Sequence, residues 1–117
     1  MTQSNSPVDL GAESVNELAR NFWYSAILRA GIKLDVFSLL ENDSLTAQEV
    51  AVRISASPRY TQAFLDSCAV LELLEKKADK YNNSSMSSNF LVKGKAAYVG
   101  DHALHHTNTW DSWGHLD

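Results

Sequence analysis

Residues 45–81 read LTAQEVAVRISASPRYTQAFLDSCAVLELLEKKADKY, and most of the architecture can be laid out from this stretch. Thr46-Ala47-Gln48-Glu49 is a capping box, in which the threonine and glutamate side chains each satisfy a free backbone donor of the other. Leu45 before the cap and Val50 at the fourth helical position fit a hydrophobic staple, so a helix is expected from Ala47 to about Ser55. Ser57-Pro58 repeats the logic with a capping serine and a proline at the first helical position. The helix it opens should run from Pro58 towards Leu74, with Tyr60, Phe64, Cys68, Leu71 and Leu74 on one face and Leu65, Ala69 and Leu73 beside them. Residues 73–76 and 80–82 can then pair across Lys77-Ala78-Asp79 as a small hairpin, marginal by itself and held by packing on the helices. Helix, turn, helix and hairpin is the residue order of a winged helix. The expected fold class is mostly α, a winged-helix-like helical domain with a small β-hairpin wing.

Such a shape is usually associated with DNA, but the helix that would enter a major groove carries Arg59 against Asp66 and Glu72. Duplex binding draws on several Lys or Arg side chains set against dense phosphate charge. The wing is locally basic, with Lys76, Lys77 and Lys80 against Glu75 and Asp79, and Lys93 and Lys95 following. Lysines also guard exposed strand edges. A winged-helix DNA-binding transcription regulator is thus the alternative reading, and protein–protein packing the main one.

Upstream, Val15, Leu18, Ala19, Phe22, Trp23, Ala26, Ile27 and Ala30 follow helical spacing and form one wide apolar stripe. Gly31 is expected to stop this helix, with Ile32 making the apolar contact of a glycine C-cap. Tyr24 and Leu28 fall on a second face. A helix apolar on two faces needs two surfaces to cover it, and a small domain has little interior to spare. Burial within one chain competes with burial against a second copy, and the second is favoured. Val15, Leu18, Phe22, Trp23, Ala26 and Ile27 are accordingly the candidate dimer interface, giving an intertwined homodimer.

A short helix is expected over 34–40 with Leu34, Phe37 and Leu40 inward, broken by Asn42-Asp43-Ser44. Residues 83–88 are polar and helix-initiating, and Phe90, Leu91 and Val92 supply an apolar anchor. After Gly94 a last helix is expected from about Ala97 or Gly100 to Leu116. The organisation reads as a flexible tail over 1–10, a dimerisation domain over 11–96, and a helix over 97–117 leading towards a catalytic domain absent from this chain.

The composition, 44% hydrophobic and 21% charged over 117 residues, is that of one globular domain. A net charge of −4 disfavours nonspecific nucleic-acid or anionic-membrane binding. No apolar run approaches the roughly 20 residues that span a bilayer, and residues 1–7 lack a secretory layout. A cytoplasmic protein is expected, with neither membrane nor nucleic acid as partner. Cys68, the single cysteine, cannot form an internal disulfide and reads as a small core residue. The five glycines, at 11, 31, 94, 100 and 114, assemble no phosphate or nucleotide loop, so no cofactor-binding and no catalytic residue is assigned.

His102, His105 and His106 stand at i, i+3 and i+4. Two imidazoles on one face can bind zinc, but a third ligand and the glutamate of a metalloprotease helix are missing, so no metal is assigned, and a metal sensor built on the histidine cluster stays as a third reading. Trp110 and Trp113 are i, i+3 neighbours that present either core packing or an aromatic wall for a flat molecule.

Residues 30–37, AGIKLDVF, and 45–51, LTAQEVA, resemble the start of the S-adenosylmethionine-dependent O-methyltransferases of the plant caffeate and animal hydroxyindole type. Residues 71–76 followed by Lys80-Tyr81 are similar to that family's passage from recognition helix into wing, and residues 113–116 resemble its helix towards the catalytic domain. The resemblance implies a homodimerisation module of an enzyme that moves a methyl group from S-adenosylmethionine to a hydroxyl on a small, aromatic molecule. The cofactor site and a histidine base belong to a downstream domain, so this chain alone should not methylate. The resemblance also implies that such a module lends side chains to its partner's substrate pocket. By position, His106, Trp110 and Trp113 are the candidates for that lining.

Overall fold

The structure, a computed structural model, describes residues 11–116. The tail expected over 1–10 lies outside the described residues. The elements are α1 (Ala12–Leu34), α2 (Val36–Leu39), β1 (Leu45–Thr46), α3 (Ala47–Ile54), α4 (Pro58–Val70), β2 (Leu74–Lys77), β3 (Lys80–Asn83), α5 (Ser85–Phe90), α6 (Gly100–Thr107) and α7 (Trp110–Gly114). The result is a mostly helical domain with a small β wing.

The capping box forms as the local chemistry demands. Thr46 N–H donates to Glu49 Oε1 at 2.8 Å, and Glu49 N–H donates to Thr46 Oγ1 at 3.2 Å. Leu45 and Val50 are both buried in the core. Ser57 sits at the N-cap of α4 but its side chain makes no capping bond; Pro58 at the first helical turn carries that start.

Four expectations about element ends and strand number are corrected. Gly31 does not stop α1, which continues to Leu34 and ends where Asp35 takes a left-handed conformation (φ 57°, ψ 37°). Gly31 is instead a close-approach glycine: a Cβ there would lie 2.8 Å from the Phe37 ring. Asp35 tolerates the left-handed region as Asp and Asn do, and its Oδ1 accepts from Ser38 Oγ at 2.7 Å across the corner.

Helix α4 ends at Val70, short of Leu74. Glu72 is left-handed at φ 63°. Its N–H donates to Ala69 O at 3.0 Å, and Leu73 N–H donates to Cys68 O at 2.9 Å. That bond pair is a Schellman motif with glutamate where glycine is usual. Because a left-handed non-glycine costs about 1–2 kcal/mol, Glu72→Gly is expected to raise stability by up to about 1 kcal/mol once glycine's extra unfolded-state freedom is subtracted. A lower urea midpoint for the variant would show that the Glu72 side chain matters more than its backbone.

The sheet has three strands, not two. The hairpin pairs Leu74↔Asn83 through Lys77↔Lys80, and β1 adds to its other side with Leu45↔Tyr81 and Thr46↔Lys80, giving the order β1-β3-β2. A two-residue strand has no periodicity to betray it. Lastly, the C-terminal helix is broken at Asn108 into α6 and α7. Thr107 Oγ1 donates to Leu104 O (3.1 Å) and Thr109 Oγ1 to His106 O (2.7 Å), side-chain bonds that compete with helical continuation.

The core gathers Ile32, Val36, Phe37, Leu40, Val50, Leu65, Cys68, Leu74, Tyr81, Leu91 and Val92. The buried side of α4 is Thr61, Leu65 and Cys68, while Tyr60 is exposed and Phe64 half-buried, one step round from the expected face. Leu34 and Phe90 are also exposed rather than inward. Cys68 is the core residue expected, and burial pushes its thiol up to about 12, far from nucleophilic range.

Candidate functional site

Helix α1 has 23 residues, yet only Gly31 and Ile32 are buried. Val15 (66%), Leu18 (73%), Phe22 (45%) and Trp23 (51%) stand open, and Ala26 is exposed beside them. Ile27 and Leu28 are half-buried against the core. The interior therefore takes the C-terminal third of α1 and leaves the rest of its apolar surface uncovered. Contiguous apolar surface of this kind on a protein marks a contact site.

The opposite end of the chain folds back on α1. Phe22, Ala26 and Arg29 form one wall of a cleft of about 800 Å³, and His106, Trp110 and Trp113 form the other. Phe22 and Trp110 ring centroids lie 5.6 Å apart, tilted at 41°, and Phe22 meets Trp23 edge-on at 5.8 Å. Arg29 Nη2 donates to Asn108 Oδ1 at 3.0 Å, tying α1 to the break between α6 and α7. His106, Trp110 and Trp113 thus share one cleft, while His102 and His105 lie outside its lining. Arg29 was not singled out in the sequence; its place one turn beyond Ala26 and two beyond Phe22 was the available signal. Aromatic walls with a few placed polar groups are the ordinary make-up of a small-molecule pocket.

Two carboxylates brace the wing. Asp66 Oδ1 accepts from Tyr81 Oη at 2.6 Å and from Lys76 Nζ at 2.9 Å. Those bonds, Tyr81's first, hold the Asp66 carboxyl below the usual carboxylate range. Glu41 accepts from Lys95 Nζ, from Ser88 Oγ at 2.9 Å and from Asn83 Nδ2 at 3.2 Å, and the Lys95 bond leads in lowering its pKa. Lys76 and Lys95, two of the five lysines that made the wing region look basic, are thereby paired with acids.

Both carboxylates titrate lower in the folded chain than free. They contribute stability above their unfolded values, about 4, and that contribution is lost as pH falls through the lower folded values. Asp66→Asn is therefore expected to lower the urea midpoint near neutral pH, with the gap to the parent closing towards about pH 3. A gap independent of pH would assign the effect to packing.

The chain belongs to the family of O-methyltransferase dimerisation domains, which matches residues 16–93. It is 34% identical over 103 residues to the N,N-dimethyltransferase OxyT of Streptomyces rimosus, covering 85% of this chain and 30% of that one. It is 37% identical over 101 residues to the acetylserotonin O-methyltransferase of Rattus norvegicus, covering 85% of this chain and 23% of that one. The crystal structure of human N-acetylserotonin methyltransferase in complex with SAM superposes with a TM-score of 0.82 at 28% identity, covering 99% of this chain and 35% of that one. The chain thus spans about a third or less of these relatives' length. Among the described residues no helix is long and apolar enough to cross a membrane.

Proposed function

We propose that this chain is the homodimerisation module of an S-adenosylmethionine-dependent methyltransferase that methylates a small aromatic molecule, with α1 buried against a second copy. The carrying observation is the open apolar face of Val15, Leu18, Phe22, Trp23 and Ala26, continued by the half-buried Ile27. Full burial of a large apolar side chain contributes on the order of 2 kcal/mol, whereas association costs roughly 4–15 kcal/mol. Four such residues on each copy, each already partly buried in the protomer, supply roughly 8 kcal/mol, which lies inside that range without exceeding it. The whole helix must then be covered, which favours a large, core-like interface whose formation and folding are coupled.

The acceptor class rests on the aromatic cleft and on relatives that act on such molecules. His106, Trp110 and Trp113 would line the acceptor pocket, and Arg29 would join them. Hydroxyl oxygen is the proposed acceptor atom; OxyT, an N,N-dimethyltransferase, makes nitrogen the other outcome of a substrate test. The described residues do not fit the cofactor. Gly31 is closed by Phe37, Gly100 by the Tyr98 ring, and the sheet is antiparallel with no strand–loop–helix cradle. S-adenosylmethionine would be held by sequence beyond this module, and no chemical step is assigned to residues here.

Sedimentation equilibrium of the chain tests the reading, with a dimer expected at micromolar concentration. A well-folded monomer that stays single on concentration would remove it. Titration with duplex DNA separates the regulator alternative: tight, salt-sensitive binding would favour that reading instead.

A further inference from the structure

Histidines 102 and 106 stand one turn apart on the exposed side of α6. Their rings are edge-on, at 87° with centroids 4.6 Å apart, and their Nε2 atoms approach to 3.1 Å. Ring stacking would keep those nitrogens apart; here the edge-on rings bring them within hydrogen-bond distance of each other. Zinc–imidazole bonds of about 2.0–2.1 Å place two ligand nitrogens roughly 2.9 Å apart at a right angle and about 3.4 Å apart at the tetrahedral angle. The observed separation lies between these values. We infer that His102 and His106 form a two-imidazole chelate for a divalent transition-metal ion of the zinc type, on the face of α6 next to the aromatic cleft.

The spacing alone licensed only a shared face; the separation of the two nitrogens is what the fold adds. Without metal, one imidazole N–H donates to the other nitrogen. Binding replaces that shared proton with the ion, and the donor ring shifts to the tautomer protonated at Nδ1. His105 takes no part: its ring centroid lies 6.1 Å from that of His106, on a different side of the helix. Among the described residues no third His, Cys, Asp or Glu completes a ligand set. The remaining positions are left to water or an exogenous donor, so the ion would be held by two protein ligands, fewer than the three or four of a built zinc site. The inference stands apart from the dimer reading, since it uses no residue of the α1 face.

Calorimetric titration of the full chain with zinc chloride tests it. One ion per chain is expected, and His102→Ala and His106→Ala should each weaken binding by about tenfold or more, because two linked donors act as one chelate. His105→Ala and His115→Ala should leave the affinity unchanged. Alanine suits an exposed helical position, so α6 should persist in all four variants. A second readout needs no variant: zinc should shift the imidazole Nε2 resonances of His102 and His106 together and leave those of His105 and His115 in place. Absence of zinc binding in the parent, or equal weakening by His105→Ala and His102→Ala, would overturn the inference.

Discussion

Phe37→Ala is expected to lower the unfolding free energy by about 3–5 kcal/mol. The side chain is fully buried in the core, against α1. Its ring fills the space that Gly31 leaves open, and its backbone carbonyl accepts from Asn83 Nδ2 at 2.8 Å. Truncation removes the transfer free energy of the ring and leaves a cavity that α1 cannot collapse into without breaking its own hydrogen bonds. Against a typical total of about 5–15 kcal/mol, that loss is enough to unfold part of the population at ambient temperature. Urea titrations of parent and variant at one protein concentration measure it, since association would add to apparent stability. A loss under about 1 kcal/mol would mean that the ring is not the keystone of this packing.

The second large effect is on association. Trp23→Asp is expected to convert the dimer to monomer at micromolar concentration and to lower the melting temperature with it. Trp23 is half exposed in the protomer and packs edge-on against Phe22, so its removal takes little from the interior and much from the proposed interface. Truncating a central interface tryptophan commonly costs 2 kcal/mol or more, about thirtyfold in affinity, and an aspartate adds the desolvation of a charge. Val52→Asp is the control: Val52 is 80% exposed on α3 and distant from the α1 face in the chain. Its sedimentation should match the parent's. If Trp23→Asp stays as dimeric as the parent, α1 is not the interface and the chain associates elsewhere, if at all.

Much of the middle of the chain was legible because its signals are short-range. The capping box over 46–49 closes within one helical turn, and Pro58 sets its own φ, so both helix starts follow from neighbours in sequence. The hairpin was likewise readable, apart from its third strand. What misled was Gly31, since a glycine after an apolar stripe looks the same whether it ends a helix or admits a ring from the next one. The face of α4 slipped by about one position for a similar reason: Tyr60 and Leu65 fit competing stripes, and only the packing of α3, β2 and α1 against α4 chose Leu65. Of the site, Phe22 and Trp23 were named from residue type and spacing, and His106, Trp110 and Trp113 by position under the family resemblance, but the bond that joins their two elements, Arg29 to Asn108, was not foreseen.

The sequence by itself determined where α3 and α4 begin, that Cys68 is interior, and that α1 carries more apolar surface than a small domain can hide; hydrogen bonds within a turn and side-chain hydrophobicity are properties of neighbours. The tertiary structure alone decided that α1 runs on past Gly31, that Glu72 ends α4, and that Phe22 meets Trp110 from the far end of the chain. These depend on which surfaces meet in space, a choice made by the total burial of the chain and not by any local pattern within it.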